Sequence, residues 1–148
     1  MIEEIEQRQQ RKQNLIISGI PEPSIGPISQ RIASDTAACV TLAETLGIHG
    51  LSIKSVARLG SLSSGKNRLL RVCLNDIETR QAILRNATKL KQNEKYSGIY
   101  INPDLTPAQQ EANYKLRKER REQRAKGIDA VIYRGEVVDR KSIPVFQQ

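Results

Sequence analysis

Apolar residues in this chain come in short bursts separated by Pro, Gly, Ser and Asn, and the length and period of each burst set the expected elements. Asn14 to Ile20 (NLIISGI) is apolar and β-branched and stops at Pro21-Glu22-Pro23, which predicts a strand followed by a turn. Residues 21–33, with three prolines and Gly26, read as a loop. Ser34 or Asp35 then suits the N-cap of a helix through Leu46, with Val40, Ala43 and Leu46 on one face and Gly47 at C′. A second strand fits Ile53 to Leu59, but Ile53 and Val56 are out of phase for a period of two, so the pattern does not assign its faces. A Ser/Gly loop, Gly60 to Asn67, leads to a third strand, Arg68 to Leu74. Asn75 and Glu78 are spaced as a capping box for a helix to about Lys91, with Ile77, Leu84, Ala87 and Leu90 as its core stripe. Ile99 to Ile101 is a short fourth strand closed by Asn102-Pro103.

The resulting order, β-α-β-β-α-β over roughly 90 residues, is the split βαβ of a ferredoxin-like α+β domain. Such a domain has a four-stranded antiparallel sheet with helices on one face and the other face open. An appendage follows. Thr106, Pro107 and Gln109 give an N-cap, a Pro at N1 and a capping-box partner for a helix to Gly127. Ala130 to Tyr133 and Glu136 to Val138 flank Arg134-Gly135 as a hairpin. Residues 1–12 place Ile2 and Ile5 among Glu, Gln and Arg, as at the end of an amphipathic or coiled-coil helix. The expected organisation is a helical segment at 1–12, the sheet domain at 13–103 and a small basic C-terminal domain at 104–148.

Composition narrows the core and the partner. Of 148 residues 38% are hydrophobic but only 3% aromatic, namely Tyr96, Tyr100, Tyr114, Tyr133 and Phe146, so the core must come from Ile, Leu, Val and Ala. No run approaches the roughly 18 apolar residues of a membrane span. The first residues lack the apolar centre of a secretory signal, so an intracellular setting is expected, in which Cys39 and Cys73 stay thiols. The net charge of +8 is unevenly placed: residues 54–127 hold 17 bases and 7 acids, whereas residues 13–53 are net negative. A polyanion responds to such local clusters, so a polyanionic partner is expected.

Several motifs bear on chemistry. Gly60 to Asn67 (GSLSSGKN) fits a P-loop except at its last residue, where Asn67 replaces the hydroxyl that would hold Mg²⁺, and a strand is expected where a P-loop needs a helix. A basic loop between strands is the preferred reading. In the third strand, Leu70, Val72 and Leu74 alternate with Leu69, Arg71 and Cys73; in the first, Leu15 and Ile17 alternate with Ile16 and Ser18. The second set of each strand falls on the open face, where RNA-recognition motifs carry stacking aromatics on the two central strands. This chain has none there, so Arg71 points to phosphate contacts or guanidinium stacking. In the helix from Pro107, Arg117, Arg121 and Arg124 share one face with Arg120 beside them, although Glu111–Lys115 and Lys118–Glu122 are also spaced for i,i+4 pairs. His49 has no metal or triad partner at a recognisable spacing, and Asp76 and Asp104 suit helix-opening roles. No catalytic constellation, cofactor or metal is expected.

The segments NLIISGIPE, Leu46-Gly47-Ile48, Arg58-Leu59-Gly60, the basic Lys66 to Leu74 strand, Arg80 with Ile83 to Ala87, and IYINPDLTPAQQ from Ile99 occur in an order and spacing that resembles one family. It is the family of nucleic-acid-binding proteins encoded by the first open reading frame of LINE-type non-LTR retrotransposons. The resemblance implies a coiled-coil trimer whose recognition-motif domain and C-terminal domain clamp single-stranded RNA, coating the element's transcript and acting as a nucleic-acid chaperone. The expected function is sequence-tolerant binding of single-stranded RNA, with single-stranded DNA as a further candidate, in a cytoplasmic or nuclear ribonucleoprotein. By position it puts basic contacts on Arg58, Arg68, Arg71 and the Arg117 to Arg124 cluster. The candidate contacts are therefore Arg58, Lys66, Arg68, Arg71, Arg117, Lys118, Arg120, Arg121 and Arg124. The alternatives are a protein-interaction module whose basic helix binds an acidic partner, and a nucleotide hydrolase at Gly60–Asn67.

Overall fold

The computed structural model describes residues 2–23, 26–61 and 66–144, and two compact units divide the chain, Ile2–Asp104 and the segment from Leu105 onward. In the first unit α1 (Ile2–Arg11) leads into β1 (Asn14–Ser18), α2 (Ile28–Thr45), β2 (Ile53–Arg58), β3 (Leu70–Leu74), α3 (Ile77–Asn86) and β4 (Tyr100–Pro103). The strands form one antiparallel sheet in the order β2-β3-β1-β4, so the unit is a ferredoxin-like α+β fold. Alternation along the two central strands builds its core. Leu15 and Ile17 of β1 and Leu70, Val72 and Leu74 of β3 are buried against Cys39, Leu42, Ala43 and Leu46 of α2 and Ile83 of α3. Each such Leu, Ile or Val contributes about 1.5–3 kcal/mol by leaving water.

The edge strand β2 explains the broken phase of Ile53 and Val56. Ile53 pairs with Leu74 and Ser55 with Cys73, so Lys54 is an extra residue in a β-bulge. The bulge shifts the alternation by one, and Ile53, Val56 and Arg58 all fall opposite the core residues Leu74, Val72 and Leu70. Arg58 therefore points to the helix side of the sheet. At the end of β1, Gly19 has φ +93° and a side chain there would collide with the Gly98 carbonyl, so glycine is required.

Helix α2 starts seven or eight residues earlier than the sequence suggests. Pro27 is the N-cap, with no side-chain cap bond, and Ser34 and Asp35 lie inside the helix, Asp35 buried. The carboxylate that reads locally as a cap is instead committed to Arg58, a partner 23 residues away. A smaller slip occurs at α3, where Asp76 rather than Asn75 caps, accepting from the Glu78 N–H at 3.0 Å, while Asn75 donates to Ser52 Oγ at 2.8 Å. The helix tightens to 3₁₀ geometry over Ala87–Gln92, short of the continuous α-helix expected to Lys91. Asp104 opens no helix; its Oδ2 accepts from Asn14 Nδ2 at 2.9 Å.

The second unit is α4 (Pro107–Ala125) packed on the hairpin of β5 (Ala130–Tyr133) and β6 (Glu136–Asp139). Thr106 accepts from the Gln109 N–H at 3.1 Å and the Gln109 side chain accepts from the Thr106 N–H at 3.0 Å, a complete capping box. Arg134 (φ +50°) and Gly135 (φ +78°) make the hairpin turn, both in the left-handed region that a two-residue type I′ turn requires.

Candidate nucleic-acid interface

The sheet face away from the helices is built by the residues between the buried ones. Register sets them in rows: Ala57, Arg71, Ile16 and Asn102 lie side by side across β2, β3, β1 and β4. Ser55, Cys73 and Asn14 form the row on one side of it, and Ser18 pairs with Tyr100 on the other. Arg71 is exposed at the middle of this face and makes no hydrogen bond or ion pair among the described residues. None of the residues in these rows is acidic.

Charge accounting separates Arg71 from its neighbours in sequence. Arg58 is a structural residue: its Nε and Nη2 donate to the two carboxylate oxygens of Asp35 at 3.1 and 2.7 Å, and the ion pair is only 6% and 7% exposed. Its remaining N–H groups reach the carbonyls of Ile20, Arg68 and Pro21 at 3.0, 2.8 and 3.2 Å. All five donors of a guanidinium are thereby used, and none is left for a phosphate. Arg68 is partly committed as well. Its Nε donates to Glu22 at 2.6 Å and its Nη1 to the Gly60 carbonyl at 2.9 Å. The Arg68 hydrogen bond holds the Glu22 carboxyl below its ordinary value of 4.5. Arg80, whose Nε donates to the Asn14 carbonyl at 2.9 Å, is also drawn into the fold. Arg58 and Arg68 were expected at the interface; the structure gives the first to the interior and pairs the second with Glu22. Both acidic partners lie far away in sequence.

Lys66 is exposed and adjoins residues 62–65, which lie outside the described residues, so the G-x-x-x-x-G-K match falls partly there. The next element after Lys66 is the strand β3, where a P-loop needs a helix, and Asn67 Oδ1 accepts from the Glu22 N–H at 2.9 Å. Beside this loop, a cavity of about 340 Å³ opens between α2 and β2, walled by Ile28, Ile32 and Val56 and floored by the Asp35–Arg58 pair. The Asp35–Arg58 pair is satisfied internally, whereas the Arg31 Nε, also in the lining, is buried with no hydrogen-bond partner among the described residues. Cys39, buried beneath α2, has its thiol pushed up to about 12 by burial first and the Asp35 charge second, so it stays protonated near neutrality.

On α4, period sorts the basic residues into two sets. Gln109, Asn113, Leu116, Arg120 and Gln123 form the partly buried stripe, and the Arg120 Nε is buried without a partner. Arg117, Lys118 and Arg121 are exposed and carry no ion pair or hydrogen bond among the described residues. Arg124 is exposed, with its Nε donating to the Ala130 carbonyl at 2.9 Å. Glu111 and Lys115 pair at 3.3 Å, both about 70% exposed, a geometry worth little in water. No Lys118–Glu122 bridge forms among the described residues. Of the candidate contacts on α4, Arg117, Lys118, Arg121 and Arg124 face solvent, together with Glu119 and Glu122, while Arg120 belongs to the packed side.

Tyr100 and Asn102 are the residues that sequence reasoning missed. On β4 Ile101 is buried and its neighbours therefore project to the open face. The signal was present in the alternation Tyr-Ile-Asn, but a four-residue strand gives it little weight. No protein-family model matches the chain, and no curated protein matches it.

Proposed function

We propose that the chain binds single-stranded RNA, and single-stranded DNA by the same chemistry, through arginine and lysine contacts to phosphate. Contacts on the sheet come from Arg71, with Lys66 at the loop beside it, and on α4 from Arg117, Lys118, Arg121 and Arg124. The observation that carries this reading is Arg71, an exposed guanidinium in the centre of an open sheet face that makes no ion pair among the described residues. A charge kept unpaired beside apolar neighbours suits a polyanion, and a fork of donors suits phosphate. The resemblance to retrotransposon first-frame proteins supports the same reading and extends it to a role in coating the element's transcript.

Fluorescence anisotropy of a labelled single strand over a salt series tests it. Log affinity is expected to fall by about 0.7 per log unit of salt for each phosphate contacted, and Arg71→Ala and Arg121→Ala are each expected to shallow the slope by about that amount. Both variants should weaken all sequences alike, because phosphate contacts carry no base information. A flat salt response, or no binding at low salt, defeats the proposal. Loss confined to Arg121→Ala with Arg71→Ala unchanged would favour a basic helix that takes an acidic partner.

A further inference from the structure

On the open face, one end is apolar rather than charged. Ser18 is paired with Tyr100, and Leu69 directly precedes Leu70, the residue that faces Ile17. Leu69 and Tyr100, 44% and 52% exposed, are thus two large side chains at the end of the sheet where Ser18 is small. Asn102 follows Tyr100 by two residues on the same face, exposed, its amide making no hydrogen bond among the described residues. A phenol ring half open to water and an unsatisfied amide, side by side on an edge strand, do nothing for the core below them: Ile101 between them supplies that contact.

We infer that β4 carries a single-base subsite, in which an unpaired nucleobase stacks on the Tyr100 ring, with Leu69 at the same end of the sheet and Asn102 hydrogen-bonding the base edge. This rests on the proposed binding of single strands, and it adds to the phosphate grip a contact that needs a base. Two strand spacings and one two-residue step separate Tyr100 from Arg71, about 12 Å, a span that a few nucleotides of an extended strand cover. The charge of Arg71 and the ring of Tyr100 thus suit one strand crossing the sheet diagonally. Aromatic rings take any base by its face, while an amide can discriminate among base edges, so a mild preference is expected at this one nucleotide.

The test compares two labelled probes of equal length, a normal single-stranded oligonucleotide and an abasic one that keeps the sugar-phosphate chain. Tyr100→Ala is expected to weaken the normal strand about 5- to 100-fold and to leave the abasic strand unchanged, with Tyr100→Phe close to the parent on both. Because the chain contains no Trp, Tyr100→Trp supplies a single reporter whose emission should be quenched by the normal strand and not by the abasic one. Equal losses on both probes, or no loss with Tyr100→Ala and no quenching, overturn the subsite while leaving phosphate binding in place. Failure of the unsubstituted protein to bind either probe overturns the nucleic-acid reading itself.

Discussion

Arg58 and Arg71 are both β-strand arginines, thirteen positions apart, and the sheet gives them opposite fates. Arg58 lies on the core side, where three backbone carbonyls and one carboxylate take all its donors. Removing a charge from water is costly unless the pair and its hydrogen bonds are complete, and breaking such a pair strands the other charge. Asp35→Ala is therefore expected to lose about 3–5 kcal/mol, read as a lower urea midpoint at constant slope. Arg58→Met is expected to lose more, since it leaves the Ile20, Pro21 and Arg68 carbonyls without a donor as well as stranding Asp35. Asp35→Asn should lose least, because its amide oxygen can still accept from the Arg58 guanidinium. Equal losses in all three variants would refute this account of the pair. None of it was visible in the sequence, where Arg58 reads as a candidate phosphate contact. The residue that decides its role, Asp35, reads as a helix cap until the fold brings the two together.

Helix boundaries show which signals are local enough to read. The capping box at Thr106 and Gln109 was legible because both partners sit within one turn of each other. Thr106→Ala removes the acceptor for the Gln109 N–H, and is expected to cost about 1 kcal/mol with a loss of far-UV helical signal; Thr106→Ser should restore most of both. If the alanine variant matched the parent in stability, the box would have no part in holding α4. The same reasoning applied at Ser34 and Asp35 failed, because the true start at Pro27 has no side-chain cap to detect and the acidic residue had a distant partner. In β2 the sequence did carry the answer in disguised form. Ile53 and Val56, out of phase by one, are the trace of the bulge at Lys54, which only pairing with β3 makes explicit. The faces of the two central strands were legible, since strict alternation has a single consistent burial, although β1 ends at Ser18 rather than Ile20 and β3 begins at Leu70 rather than Arg68.

At the scale of the whole molecule the net charge of +8 divides evenly. The unit Ile2–Asp104 holds 14 bases and 10 acids, and the smaller unit from Leu105 holds 10 and 6, so each carries +4. Each also presents solvent-facing arginines that make no ion pair among the described residues, Arg71 in the first and Arg117 and Arg121 in the second. If the proposed binding of single strands uses both surfaces, the affinity depends on strand length as follows from linking two contacts on one chain. A strand too short to meet both is held by one unit or the other, so its association constants add, and losing one surface removes only that surface's share. A strand long enough to meet both makes the second contact intramolecular, and the constants multiply with an effective concentration in the millimolar range. Anisotropy at fixed salt is therefore expected to show Arg71→Ala and Arg121→Ala each costing at most about twofold on a strand of roughly four nucleotides, if the two surfaces are comparable. On a strand several times longer each variant should scale the whole affinity, and the double variant should lose the product of the two. Single-variant losses that stay the same at every length would show that only one unit holds the strand, and the charge of the other would then need a different partner.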